Sequence, residues 1–288
     1  MSVGSETLLL GAVAYDPKVV TIWEGFKLYF ARNGLAFDFV LYSNYERQVE
    51  SHMDGHFHVA WNSPLAWIRS ERLARSRGQR VEAIAMRDTD QDLTSLVVVR
   101  SDSPIKSVSD LRGKTVAVGA IDSPQATMIP LNYLRERGLL PGVDFEVRHN
   151  DLLGGKHGDH IGGEREAARS LLAGRADAAC MIDGNHLLFI AEGTLPSGAT
   201  RILAQTGPYD HCNFTVGPTA PRGVVDRFRE LLLGMNYEDP EVRPLMDLEG
   251  LKAWREGRTE GYRALDIAVD EVGFYDGEGR ITEPNYRY

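Results

Sequence analysis

Apolar positions along this chain follow two alternating rhythms. Short consecutive apolar runs at 8–13 and 37–42 read as buried strands. Between them Val20, Trp23, Phe26, Leu28 and Phe30 give a broad apolar face, which predicts a helix over 19–32. A second helix is predicted over 45–53, stopped by Gly55, followed by a strand over 57–61. Pro64 then opens a helix through 75, with Asn62 or Ser63 as its cap. This βαβα order predicts a parallel sheet covered by helices on both faces.

The rhythm restarts after a β-rich run at 93–100. Strands are predicted over 114–118, 144–149 and 176–182, with helices over 125–137 and 165–173 between them. Strands at 201–205 and 212–216 follow, and then helices over 224–233, 239–246 and 259–272. The polar tail 276–288 is predicted to be frayed or draped. Two similar α/β units with helices appended at the end imply two lobes.

Composition narrows the function classes. Apolar residues make up 43% and charged residues 25% of 288, which excludes a disordered chain. The formal charge of −9 repels phosphate backbones and anionic membranes, so nucleic acid is excluded as the main partner, though a local cationic pocket is not. The apolar runs at 7–13 and 93–99 are too short to span a bilayer, which predicts a soluble protein with no membrane insertion. No basic n-region and long apolar core opens the chain, so it reads as cytoplasmic as written, or periplasmic if a signal has been removed. Cys180 and Cys212 lack CxxC partners and are expected as buried free thiols, with no thiolate-built structural zinc site.

Five segments, in order, carry a resemblance. They are Asn44-Tyr45 to Asp54-Gly55 with Phe57-His58-Val59-Ala60-Trp61; Asn62-Ser63-Pro64-Leu65-Ala66-Trp67; Ser103-Pro104-Ile105 through Asp110-Leu111-Arg112-Gly113-Lys114-Thr115-Val116-Ala117; Ala173-Gly174-Arg175-Ala176-Asp177-Ala178-Ala179; and Leu231-Leu232-Leu233-Gly234-Met235 to Asp239-Pro240 with Leu245 to Gly250. Together they resemble the phosphate/phosphonate-type solute-binding proteins of ABC importers. The resemblance implies an α/β, two-lobed type 2 periplasmic-binding-protein-like fold. Each lobe would be a mainly parallel sheet flanked by helices, and two crossing strands would join them near 97–100 and 204–207. Lobe 1 would comprise 1–98 and 206–288, and lobe 2 would comprise 99–205. The ligand would lie in the cleft between the lobes, at the carboxyl ends of strands.

The strand-to-helix turns then supply candidates. The resemblance makes Tyr15 a ligand contact, while Asp16 caps the first helix with Pro17 at its first position. Asn62 and Ser63 can donate to an oxyanion, and Trp61 lines the cleft or fills the core. The segment Ala120-Ile121-Asp122-Ser123-Pro124-Gln125-Ala126-Thr127 departs from the family's Ser-Thr-Ser run, because Pro124 has no N–H and Gln125 carries a longer amide. Ser123, Gln125 and Thr127 therefore suit a planar carboxylate or amide-bearing ligand better than a fully wrapped phosphonate. In the glycine-rich stretch 154–164, His157 matches the family's ligand-reaching histidine, with His160 as rival. Asp183 matches an acidic residue that meets a ligand amine, or caps the next helix. His211 and Cys212 are unusual for the family at this place. His52, His56 and His58 read as surface or partly buried.

The expected function is that of a solute-binding protein capturing a small anionic or zwitterionic ligand of phosphonate, carboxylate or amino-acid type. The contacts would be Tyr15, Trp61, Asn62, Ser63, Ser123, Gln125, Thr127, His157, Asp183 and His211. The alternative is a cytoplasmic enzyme on the same fold, with lyase or hydrolytic chemistry carried by His157, His160 and Asp159. No cofactor is expected. A divalent metal held by His157, Asp159, His160 and Glu164 is the minor alternative. The partners implied are the small molecule and, if the protein is exported, an ABC transporter permease.

Overall fold

The computed structural model of the protein describes residues 7–288. In chain order its elements are β1 (Leu8–Val13), α1 (Lys18–Arg32), β2 (Phe37–Tyr42), α2 (Tyr45–Met53), β3 (Val59–Asn62), α3 (Pro64–Ser76), β4 (Glu82–Arg87), β5 (Ser95–Arg100), β6 (Thr115–Ala117) and α4 (Ile129–Arg135). There follow β7 (Glu146–Arg148), α5 (Gly162–Leu172), β8 (Ala178–Ile182), α6 (Asp183–Ala191), β9 (Thr200–Gln205), β10 (Asn213–Val216), α7 (Arg222–Leu233), α8 (Arg243–Glu249), β11 (Trp254–Glu256) and α9 (Arg263–Val272). No helix among the described residues is long and apolar enough to cross a membrane.

The chain divides into two units. The first holds the described residues up to Gln91 with Asp210–Tyr262 and Tyr275–Ile281; the second holds Asp92–Tyr209, Arg263–Phe274 and Thr282–Tyr288. The first unit is built on a six-stranded sheet in the order β11-β4-β10-β3-β1-β2. β1 pairs in parallel with β2 (Leu8 opposite Phe37) and with β3 (Leu10 opposite Val59). β10 enters antiparallel between β3 and β4, and β11 is antiparallel to β4. The α1 face carrying Val19, Ile22, Trp23, Phe26 and Phe30 packs into a core with Trp61, Phe214, Phe228 and Trp254. Gly11 is obligatory in β1, because a Cβ there would lie 2.3 Å from the Phe57 ring.

The second unit has a five-stranded sheet in the order β7-β6-β8-β5-β9. β6 is parallel to β7 and β8, whereas β5 is antiparallel to β8 and β9. Apolar clusters cover both faces, one around Val97, Leu111, Val116 and Leu134 and one around Val98, Ala168, Leu171 and Phe189.

Several expectations need correction. Neither sheet is mainly parallel: in the first, β10 returns from late in the sequence and runs antiparallel to β3 and β4, and in the second, β5, the first strand of that sheet, runs antiparallel to β8 and β9, so both sheets are mixed. The expected crossing near 97–100 falls inside β5, and the one near 204–207 spans the end of β9, both within the second unit; the chain changes unit at Gln91/Asp92 and Tyr209/Asp210. Residues 206–288 do not return to the first unit as a block. Arg263–Phe274 belongs to the second, where the Arg135 guanidinium donates to the Glu271 carbonyl at 3.0 Å. Residues 275–288 are draped and pinned rather than frayed. Arg69 and Arg72 donate to the carbonyls of Gly279 and Tyr275, and Tyr286 packs on Phe274 with ring centroids 4.8 Å apart. His52 is fully buried rather than at the surface or partly buried, with its ring stacked on Phe57 at 4.7 Å. As expected, neither cysteine is in a disulfide and both are buried.

Candidate functional site

In the second unit β6 runs into a tight turn that opens α4. Ser123 caps this turn, its hydroxyl accepting from the Ala126 amide at 3.2 Å, and Pro124 occupies the first helical position. The expected regular helix from 125 does not form. Residues Pro124–Met128 make a wide π turn instead. Two prolines explain it. Pro130 has no amide to close on the Ala126 carbonyl, which accepts from the Gly119 amide instead. The Ile129 amide reaches the Pro124 carbonyl, and the Gln125 carbonyl is then taken by the Ser95 hydroxyl. Thr127 donates to the Ala120 carbonyl at 2.7 Å.

Asp122 organises the loop that covers this turn. Its buried carboxylate accepts the amides of Gly155 at 2.7 Å and His157 at 3.1 Å, and the Tyr286 hydroxyl at 3.3 Å. The loop turns through left-handed backbone at Leu153, His157 and Gly158. It thereby seats the Gly158 carbonyl 2.9 Å from the Gln125 side-chain nitrogen. The other end of that amide, Oε1, is buried and accepts no hydrogen bond. The structure thus brings Ser123, Gln125 and buried His157 into one cluster.

Their neighbours have different tasks. His160 Nδ1 accepts from the Gly162 amide at the start of α5, and the Glu164 carboxylate accepts from the Ile182 amide and from Asn185. Asp183 opens α6, accepting from its neighbour's amide and from the Thr94 hydroxyl at 2.7 Å. Among the described residues, His157, Asp159, His160 and Glu164 do not come together as a group of metal-donor atoms. Cys180 lies deep in this unit, where burial and nearby Glu164 push its thiol up to about 12.

In the first unit, Trp61 fills the core, meeting Trp23, Phe214 and Trp254 edge-on or tilted. Asn62 is buried, accepting from Gln48 at 2.8 Å and donating to Thr215 at 2.9 Å. Ser63 caps α3 through the Ala66 amide. Tyr15 is half-buried just past β1, and Asp16 accepts from the Lys18 amide two residues ahead, Pro17 rather than Asp16 standing at the helix cap. His211, named from the sequence, lies in a buried group whose members Arg87, Asp90 and Glu249 pattern reading missed. Its Nδ1 is 3.1 Å from Cys212 Sγ and 3.5 Å from an Asp90 carboxylate oxygen. Arg87 holds both Asp90 oxygens, at 2.6 and 2.9 Å, reaches Glu249 at 3.2 Å, and lies over the Trp61 ring. Burial alone would raise the Asp90 carboxyl, yet the Arg87 guanidinium brings it down to about 2.

The comparisons decide the family. Residues 12–262 match the family described as ABC transporter, phosphonate, periplasmic substrate-binding protein. The chain belongs to that family.

Solved structures agree on the fold of this phosphonate-binding family member. PhnD1 from Prochlorococcus marinus, in complex with methylphosphonate, superposes with a TM-score of 0.69 at 13% identity, over 93% of this chain and 99% of that one. XAC2383 from Xanthomonas citri bound to ATP gives 0.70 at 18% identity, over 93% and 98%. The aliphatic sulphonate binding protein SsuA from Escherichia coli gives 0.58 at 17% identity, over 98% and 94%. Reading this solute-binding chain by pattern names Ser123, Gln125 and His157 but not the role of Asp122, whose donors lie 33, 35 and 164 residues away. Arg87, Asp90 and Glu249 carry no local signal either, because Glu249 meets Arg87 from 162 residues away.

Proposed function

We propose that this chain captures a small zwitterionic or anionic compound of phosphonate, carboxylate or amino-acid type, with the head group read at the Asp122–Thr127 turn. The observation that carries this reading is the Gln125 side chain. A buried amide oxygen accepting no hydrogen bond costs stability in the free protein and marks where a ligand N–H would be received. Beside it, the Ser123 hydroxyl accepts one bond and keeps its O–H to donate to an anion. A ligand head entering here takes the place of the Gly158 carbonyl on the Gln125 nitrogen. Donor and acceptor on one ligand favour a molecule bearing both an amine and an acid. The family's description, which names an ABC transporter and the periplasm, supports a transporter permease as partner and the periplasm as the place of work.

A calorimetric and thermal-shift panel of 2-aminoethylphosphonate, ethylphosphonate, β-alanine and propionate tests the reading. The amine-bearing members are expected to bind more tightly than their amine-free counterparts, and Gln125→Met to close the gap. Mass spectrometry should return each ligand unaltered; conversion would favour catalysis on the same fold. A panel in which nothing raises the melting temperature would overturn the proposal.

A further inference from the structure

We propose that Asp90, His211 and Cys212 form a binding site for a divalent cation of the zinc class in the first unit. The inference is independent of the ligand reading at Gln125. Three donors of different type converge, each buried: a carboxylate oxygen, an imidazole Nδ1 and a thiol sulfur, all within 4.8 Å of one another. An ion about 2.0–2.3 Å from such donors in tetrahedral geometry requires them to stand about 3.3–3.8 Å apart. The imidazole nitrogen is 3.1 Å from the sulfur and 3.5 Å from the carboxylate oxygen, so small rotations suffice.

Charge points the same way. Arg87, Asp90 and Glu249 bring one positive and two negative charges into one buried group. A divalent ion bound with a Cys212 thiolate and a neutral His211 brings the sum to zero. Binding displaces the thiol proton into solvent, so one proton leaves for each metal taken up. Arg87 does not compete for the site, since a carboxylate has lone pairs for both partners; the guanidinium orients Asp90 as a hydrogen-bonded outer partner orients a ligating carboxylate. The mixed sulfur, nitrogen and oxygen set selects zinc-like ions over magnesium or calcium, which take oxygen alone. The side chains of His211 and Arg87 keep 11% and 18% exposure, which gives the ion its approach and a water the fourth position.

Titration of the whole chain with Co²⁺ reads the site directly. The expected result is one equivalent bound, an intense near-ultraviolet thiolate-to-cobalt band, four-coordinate visible absorption, and displacement by Zn²⁺. Cys212→Ala should remove the thiolate band, whereas Cys180→Ala and Gln125→Met should leave it unchanged. Absence of that band in the unmodified protein at saturating Co²⁺ overturns the proposal and needs no variant to fold. Its persistence in Cys212→Ala, or loss only in Cys180→Ala, overturns it equally.

Discussion

Gly158 rests against Ser123 so closely that a Cβ on the glycine would lie 2.4 Å from the serine Oγ. The contact makes the loop a fitted cover over the turn. Gly158 also has a φ of 77°. Gly158→Ala is therefore strained twice and should cost about 1–3 kcal/mol in urea denaturation. Gly223→Ala, in α7 with open space around its Cα, should be stabilising by about 0.5–1 kcal/mol. Equal effects of the two would mean that the loop does not sit on Ser123.

Asp122 holds that cover from beneath. Asp122→Ala removes the acceptor of the Gly155 and His157 amides and should destabilise by on the order of 3 kcal/mol. Hydrogen exchange should show those two amides losing protection while the β5 and β8 amides keep theirs. Unchanged exchange at Gly155 would contradict the assigned role.

His52 gives the protein a pH dependence. Burial drives its pKa from 6.5 down to about 4, against a hydrogen bond to the His58 carbonyl that favours the proton. Between those values the unfolded chain takes up a proton that the folded chain refuses. The stability is present in full above pH 6.5 and falls as pH drops to 4, by about 3 kcal/mol. His52→Gln should flatten that part of the stability profile; an unaltered slope would assign the dependence to other groups.

Arg87 pairs with two buried carboxylates, Asp90 and Glu249. Arg87→Ala removes the guanidinium that pairs with both and should cost about 3–5 kcal/mol by chemical denaturation. Glu249→Gln keeps the shape and the stronger Arg87–Asp90 pair, so it should cost much less.

Element type was legible wherever one short segment decides it. The apolar run of β1, the Trp23-Phe26-Phe30 face of α1 and the Ser63-Pro64 start of α3 each state their structure within a few residues. What pairs with what was not. β10 lies beside β3 only because residues more than a hundred positions apart fit side by side, so the mixed sheets could not be read from alternation. β4, with Glu82, Ala83 and Ile84 at its start, and three-residue β11 give too little pattern to announce a strand. The same limit governs the site: Ser123 and Gln125 are named by the local turn, whereas Asp122 draws its meaning from Gly155, His157 and Tyr286. The π turn needed the joint effect of Pro124 and Pro130, and a helical period over 125–137 conceals it.

All four tryptophans, Trp23, Trp61, Trp67 and Trp254, belong to the first unit. Intrinsic indole emission is therefore a private channel for that half of the protein, and the second half reports through tyrosine alone. A melt followed by tryptophan fluorescence and by far-ultraviolet dichroism gives coincident curves only if both halves come apart together. Separated curves would show two cooperative blocks in one chain, with the optical label already built into one of them.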